Sequence, residues 1–204
     1  MLRNLCVAVI ATGIMTAAEP LPDLRTEPVP AGSVFTVKNA GSQPLTAFLI
    51  ELVNYPGSYY AYWHDDVTAP LGPGAEKKIP VANMTVGAVP DYVKITAAAY
   101  SDGSTAGTPE KVSQLIERRR ALLAATRELI PRLEKADAKA NLKQWADSLQ
   151  PGGKNTRSQA SINRAAARLL VMDAAARLEA GSAADVLAWA RANEKALAAS
   201  KPEL

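Results

Sequence analysis

The sequence predicts an α+β protein: a small antiparallel β-sandwich followed by a C-terminal helical region of three to four helices. Two observations carry this prediction. Between Gly32 and Ser104, short apolar segments alternate with turns rich in glycine and proline, which is typical of antiparallel strands. From Thr108 onward, the apolar residues recur at helical spacing. Because the strands come first and the helices follow, we do not expect an alternating βαβ sheet.

The first eighteen residues have the three parts of a secretory signal. A basic start at Arg3 is followed by an apolar run from Leu5 to Met15 and by small residues up to Ala18. We expect cleavage after Ala18 and a mature protein that works in the periplasm or outside the cell. A buried N-terminal helix is the alternative, but it does not explain the order of the three parts. The only cysteine, Cys6, lies within the signal, so the mature chain has no thiol nucleophile and no disulfide.

The mature chain divides at Thr108 into two parts that follow a short leader. Residues 19–31 contain four prolines and no periodic pattern, which indicates an extended leader, flexible or lying along the domain. Residues 32–107 form the predicted β-sandwich domain, and residues 108–204 form the predicted helical region. The predicted strands cover 33–39, 45–54, 59–65, 76–81 and 93–100. The second of them is apolar on both faces, as expected of a central strand covered on both sides.

The strand domain resembles a known class of module. The resemblance rests on Val37-Lys38-Asn39, the turn through Pro44, Leu45–Glu51, and Pro73-Gly74 before Ile79 and Val81. Over residues 32–104 this pattern is similar to the immunoglobulin-like β-sandwich modules of secreted bacterial proteins. The resemblance implies a fold and no particular function. It also implies that Trp63 packs in the core of the sandwich, where a strand tryptophan of such modules would lie.

The helical region begins with a clear start signal. Thr108 suits the N-cap and Pro109 the first helical position. Apolar pairs then recur every seven residues and define one stripe, made of Leu115, Ile116, Leu122, Leu123, Leu129 and Ile130. Pro131 is expected to kink or divide this helix. Further helices are predicted over 133–149 and 161–180, and from Ser182 onward, where Asp185 completes a cap.

The apolar stripe needs a partner, and two kinds are available. The helices can bury their stripes against one another or against the sandwich within one molecule. A coiled-coil dimer is the alternative, but its heptad run is short and the charged Arg119 interrupts the apolar contact positions. We therefore expect a monomer. Arg118, Arg119 and Arg120 are expected to lie on a solvated helix surface rather than to form a phosphate clamp.

The one histidine is the starting point for any catalytic hypothesis. His64 is followed by Asp65 and Asp66, and Asp102 could join them in acid–base or metal-assisted hydrolysis. A histidine at a strand end beside turn aspartates is the ordinary interpretation, because the chain has no second histidine and the spacing of a calcium loop is absent. We find no nucleophile elbow and no phosphate-binding glycine loop. We therefore predict no catalytic residue, no metal and no cofactor.

Aromatic residues suggest a binding surface instead. If Trp63 faces the core, strand alternation turns Tyr60, Tyr62 and His64 outward, where tyrosines could anchor a protein or a glycan. The alternative is that these tyrosines cover the face on which a helix docks. The leading hypothesis is a non-catalytic extracytoplasmic binding or scaffold module, whose partner is another envelope protein or a glycan.

Charge distribution supplies a third class of function. Residues 19–109 carry five Lys or Arg against nine Asp or Glu, whereas residues 110–180 carry fourteen against eight. The basic helices could bind anions or a membrane surface. Their charges alternate in sign along the chain, however, which is typical of a solvated surface. We expect no nucleic acid as a partner and no transmembrane span in the mature chain.

Overall fold

The computed structural model describes residues 19–30, 32–53, 59–82, 92–150 and 157–200; the predicted signal at 1–18 lies outside them. Seven strands precede four helices in this described part, which confirms the α+β class. The strands are β1 (Asp23–Val29), β2 (Gly32–Lys38), β3 (Leu45–Leu52), β4 (Ala61–Asp65), β5 (Glu76–Ala82), β6 (Val93–Tyr100) and β7 (Thr105–Gly107). The helices are α1 (Pro109–Leu133), α2 (Ala138–Ser148), α3 (Gln159–Ala180) and α4 (Ala183–Ala199).

The strands form two antiparallel sheets. The smaller has the order β1-β2-β5, and the larger has the order β4-β3-β6-β7. The predicted leader is not separate from the sheets, because its residues 23–29 form β1 and pair with β2 over its whole length. β1 is an edge strand, so Pro28 can lie in it without leaving a missing ladder hydrogen bond. The chain before β1 is also anchored, since Tyr100 donates a hydrogen bond to the carbonyl of Pro20.

The two sheets pack on each other around a common intersheet core. It is built from Phe35 and Val37 of β2, Ile79 of β5, Leu45, Phe48 and Ile50 of β3, and Val93, Ile95, Ala98 and Tyr100 of β6. β3 is buried from Leu45 to Glu51, which confirms the predicted central strand. The pairing of β3 with β6 is irregular between Leu49 and Ile50. The immunoglobulin-like resemblance itself stays a prediction.

Helix α1 covers the outer face of the larger sheet. Four alanines, Ala47, Ala61, Ala97 and Ala99, surround Leu115 there, together with Leu49 and Trp63. Their small side chains let the helix approach the sheet closely. Gly107 connects the sheet to the helix at φ +116°, and a Cβ at this position would meet the Thr96 carbonyl oxygen at 2.2 Å. Only glycine fits this connection without strain.

The second half of α1 joins the other helices around a separate bundle core. It contains Ala125, Leu129 and Leu133 of α1, Leu142, Trp145 and Ala146 of α2, Ala167, Val171 and Ala174 of α3, and Val186 and Ala190 of α4. The apolar stripe is thus packed within the chain. Pro131 does not divide α1, which continues to Leu133. Only two helical residues follow the proline, so the lost donor and the ring affect only the last turns of the helix.

The predicted start residues of α1 and α4 are in place, whereas α2 begins at Ala138 and α3 at Gln159 instead of at the predicted positions 133 and 161. Thr108 is at the N-cap of α1, but its side chain makes no capping hydrogen bond. Ser158 and Ser182 cap α3 and α4 through their side chains, and Ser182 accepts from the Asp185 amide as predicted. Within the described residues, no helix has the length and hydropathy that a membrane crossing requires.

Candidate functional site

A buried ion pair ties α1 to the edge strand β4. The Arg119 side chain is 2% exposed and the Asp65 side chain 1%. Arg119 donates from Nη2 to Asp65 Oδ1 at 2.9 Å and from Nε to both carboxylate oxygens at 3.2 Å. Its Nη2 also donates to Thr46 Oγ1 at 2.9 Å, and Thr46 donates in turn to the Ala99 carbonyl. This network satisfies both charged groups, as burial of an ion pair requires.

A second arginine, Arg118, lies near the same aspartate but does not form a hydrogen bond with it. Arg118 is 8% exposed, and its Nη1 lies 3.9 Å from Asp65 Oδ2. This separation is too long for a hydrogen bond. Arg118 Nη1 is buried and has no hydrogen-bond partner among the described residues. Burial lowers the pKa of Arg118 from its ordinary value, Asp65 acts in the opposite direction, and Arg119 adds to the lowering.

Arg118 lines two cavities at the seam between the sheet and the helices. One cavity of about 390 Å³ lies between β4 and α3. Besides Arg118 it is lined by Tyr59, Ala61, Tyr62, Trp63, Ser161, Ile162, Ala165, Ala166 and Leu169. The other, of about 290 Å³, is lined by Asp65, Asp66 and Arg118 together with residues of α3 and α4, including Asp173 and Arg177. We call the larger of the two the seam cavity.

The seam cavity is apolar and aromatic except at Arg118. Among its described lining residues, Arg118 carries the one formal charge. Tyr59 and Leu169 at its border are 42% and 61% exposed, so the cavity reaches solvent. The Arg157 guanidinium lies over the Tyr59 ring, 4.3 Å from its centroid. An apolar cleft with few placed polar groups is the usual form of a small-molecule site.

A larger recess elsewhere lacks these properties. It measures about 650 Å³ and lies between the β6–β7 turn and the end of α4. Its Asp102 carboxylate accepts from the Ser104 amide and hydroxyl, and its Arg119 is held by Asp65. None of its described lining residues has a buried polar atom without a partner. We therefore regard the seam cavity as the better candidate.

The predicted outward stripe of β4 lies on the opposite side from the one expected. Tyr60 contacts Phe35, while Tyr62 and His64 contact Phe48, so all three are partly buried against the intersheet core. Trp63 is partly buried beneath α1 on the other face. The side chains of β4 alternate as predicted, but each set points to the side expected of the other set. Asp65 lies on the same face of β4 as Trp63, and its contact with Arg119 places that face against α1. Both faces of the neighbouring strand β3 are buried, so either orientation of β4 was open. Tyr62 also lines the seam cavity.

The residues of the catalytic hypothesis do not form one site. His64 stacks on Phe48, with ring centroids 4.7 Å apart, whereas Asp65 points to α1. Asp66 accepts from the Thr68 and Ala69 amides of its own turn, as Asp102 does from Ser104. In the described ranges, no three His, Cys, Asp or Glu side chains are grouped so that they could hold a metal ion.

Sequence reasoning missed the two buried arginines. It assigned Arg118 and Arg119 to a solvated surface, and this is wrong because both lie at the seam. A signal was present: Arg119 lies four residues after Leu115 and before Leu123, within the apolar stripe. A charged residue inside a helix's apolar stripe predicts a buried partner. The chain offers several aspartates, so the identity of that partner could not be predicted.

Comparison with protein-family models, with curated proteins and with solved structures found no match to this chain.

Proposed function

We propose that this chain is a non-catalytic extracytoplasmic binding module and that its ligand enters the seam cavity. One observation carries the proposal: Arg118, whose buried Nη1 has no hydrogen-bond partner among the described residues, lines an apolar, aromatic cavity that reaches solvent. Leaving a buried polar atom unpaired costs free energy, and natural proteins tend to retain such groups where they serve a function. The export of the protein to the periplasm or beyond rests on the signal pattern at 1–18.

A protein or glycan bound by Tyr60, Tyr62 and His64 has less support. These side chains contact Phe35 and Phe48 of the intersheet core, which leaves little of their surface for a large partner. A small molecule that contacts Tyr62 from the seam cavity is compatible with this packing. The basic helices have ion pairs at their surfaces, such as Arg127 with Glu194 and Arg191 with Glu134, and these offer a membrane fewer free charges.

A neutral fluorescent probe tests the seam cavity as a ligand site. N-phenylnaphthylamine carries no charge and brightens when it leaves water, so its titration should show one saturable site on the wild-type protein. Ala165→Phe places a ring in the cavity and should weaken this binding about tenfold or more. The matched control is Ala176→Phe on the exposed side of the same helix, which should bind as the wild type does. Absence of saturable binding, or binding that Ala165→Phe leaves unchanged, would overturn the proposal.

A further inference from the structure

Among the described residues, the buried charged side chains beside the seam cavity carry one more positive than negative charge. Arg118 and Arg119 share one carboxylate, Asp65, and Arg119 holds it with the shorter contacts. This leaves the Arg118 guanidinium with a positive charge that no side chain of the seam cavity neutralises among the described residues. A buried charge needs a compensating partner. A ligand with one negative charge would supply it.

The neighbouring cavity argues against a ligand with two negative charges. Its acidic side chains are already engaged: Asp173 pairs with Arg177 at 3.0 Å, and Asp66 accepts hydrogen bonds from its own turn. Both carboxylates line that cavity together with Arg118, so their negative charge disfavours a second negative charge on a ligand at Arg118. Phosphate monoesters carry about −1.5 to −2 charges at neutral pH. A carboxylate carries one and matches the planar guanidinium fork.

The remaining lining residues of the seam cavity determine the size and polarity of the uncharged part of the ligand. Trp63, Ile162, Ala165, Ala166 and Leu169 present apolar surface, and Tyr59 and Tyr62 add aromatic rings. A cavity of about 390 Å³ is near the lower end of the range for small-molecule sites, roughly 300–1,000 Å³. The ligand is therefore small, and apolar away from its charged end.

We infer that the seam cavity binds a small monocarboxylate with an apolar body, whose carboxylate pairs with Arg118. This inference rests on the proposed function, because it names the ligand class of the same cavity. The carboxylate accepts from the Arg118 guanidinium where it lines the cavity, while the apolar body lies against Trp63 and the α3 face that carries Ala165 and Leu169. Asp65 and Arg119 keep their own pair and hold Arg118 in place.

Octanoate and octanol form a matched pair of probes for this inference. They share the alkyl chain and differ in the charge of the head, and each can be titrated as a competitor of N-phenylnaphthylamine. Octanoate should bind the wild-type protein at least about tenfold more tightly than octanol. Octanoate offers Arg118 a charged carboxylate acceptor, whereas octanol offers only a neutral hydroxyl. Octyl phosphate should bind more weakly than octanoate.

Arg118→Met isolates the contribution of the charge. It keeps the length of the side chain and leaves the Asp65–Arg119 pair balanced, so the fold should be retained. This variant should bind octanoate no better than octanol, with its affinity for octanol unchanged. The control is Arg120→Met, two residues along the same helix, where the arginine pairs with Glu117 at the surface. That variant should keep the preference of the wild type.

The outcomes separate the two proposals. If the neutral probe binds but octanoate and octanol bind equally, the carboxylate inference fails and the binding module stands. If the neutral probe shows no saturable binding, the binding module fails and the carboxylate inference fails with it. Sedimentation with phosphatidylglycerol vesicles that Arg118→Met abolishes would assign Arg118 to a lipid surface and overturn the carboxylate inference. A preference for octanoate that needs Arg118 and not Arg120 supports it.

Discussion

Arg118 and Arg119 are neighbours in sequence and have different surroundings in the structure. Arg119 has a bidentate contact with Asp65 and a hydrogen bond to Thr46, which satisfy the donors of its Nε and Nη2 inside the protein. Arg118 reaches the same carboxylate only at 3.9 Å and lines the cavities. Removing one partner of a buried ion pair is costly, whereas removing a surplus charge is not. The two residues thus differ in role: Arg119 holds β4 against α1, and Arg118 lines the seam cavity with a charge that Asp65 only partly neutralises.

His64 illustrates how packing changes the chemistry of a side chain. Burial against the intersheet core lowers the pKa of His64 to about 4, and Lys77 adds to the lowering. Asp66 and Asp65 raise it by a smaller amount, and Arg118 lowers it slightly. At neutral pH the ring is therefore uncharged. It packs as an aromatic group against Phe48, which is compatible with a place at a core.

The first prediction concerns the pH dependence of stability. Unfolded His64 takes up a proton near pH 6.5, whereas the folded residue does so only near pH 4. Between these values protonation favours the unfolded chain, so stability is full above pH 6.5 and falls as the pH drops toward 4. The loss should be about 2–3 kcal/mol, since the ring is partly exposed. Urea unfolding over this pH range measures it.

His64→Phe provides the control for this measurement. Phenylalanine fills the same position against Phe48 and cannot titrate. Carboxylates that titrate in the same range affect both proteins equally, so the difference between the two curves reports on His64 alone. If the variant and the wild type lose the same stability between pH 6.5 and 4, His64 is not the buried neutral group described above.

At the scale of elements, α1 is the part that joins the two cores. Its first half lies on the alanine-rich outer face of the larger sheet, and its second half belongs to the bundle. Two polar contacts secure the first half. Lys111 pairs with Glu51 at 2.7 Å near the helix start, and Arg119 pairs with Asp65 two turns later. Glu51 is also held by Thr96, which donates to it at 2.6 Å.

The second prediction concerns the apolar contact of α1 with the sheet. Leu115 is fully buried between the helix and Ala47, Leu49, Ala97 and Ala99. Leu115→Ala should lower the free energy of unfolding by about 2–5 kcal/mol, because it removes buried surface and leaves a cavity. Leu169→Ala is the matched control: Leu169 is 61% exposed, and its removal should change stability by less than about 0.5 kcal/mol.

Light scattering on the same two variants distinguishes packing within the chain from association of chains. Wild type and Leu115→Ala should both have the mass of a monomer, because the partners of Leu115 are in the same molecule. A wild-type dimer that becomes a monomer in Leu115→Ala would instead show that the stripe of α1 packs against a second copy.

At the scale of the whole molecule, the strand and helical parts share one long helix. Neither part can release α1 without exposing apolar surface in the other. The boundary near residue 108 therefore separates two kinds of secondary structure, while the packing runs across it. Two further hydrogen bonds anchor residues 19 and 20: Glu19 accepts from the Ser42 amide, and Tyr100 of the larger sheet donates to the Pro20 carbonyl.

The third prediction follows from this continuity. The sheets and the helices should unfold in one cooperative transition. In a Trp145→Phe, Trp189→Phe variant, Trp63 fluorescence reports on the sheet beneath α1, and circular dichroism reports on the helices. The two signals should have the same midpoint in urea. The circular dichroism of the wild type is the control for effects of the two substitutions. Two separate midpoints would show that the parts unfold independently.

The sequence by itself determined the features that depend on near neighbours. The α+β order, the doubly buried strand β3, the cap at Ser182 and the apolar stripe of α1 follow from residue periodicity and capping chemistry, and the structure confirms them. Residues 23–29 were predicted only as part of an extended leader, flexible or lying along the domain. Their pairing as a strand was not predicted, because it depends on β2 and the four prolines of residues 19–31 masked the strand pattern.

Only the tertiary structure decided which face of β4 meets which core and where the two arginines lie. Alternation separates Trp63 from Tyr62 and His64, but both faces of β3 are buried, so periodicity cannot say which residue faces the second sheet. Arg119 is buried because Asp65, 54 positions earlier, comes into contact with it. Such contacts depend on how strands and helices pack over long separations, and this is why the seam cavity and its Arg118 could not be predicted from the sequence.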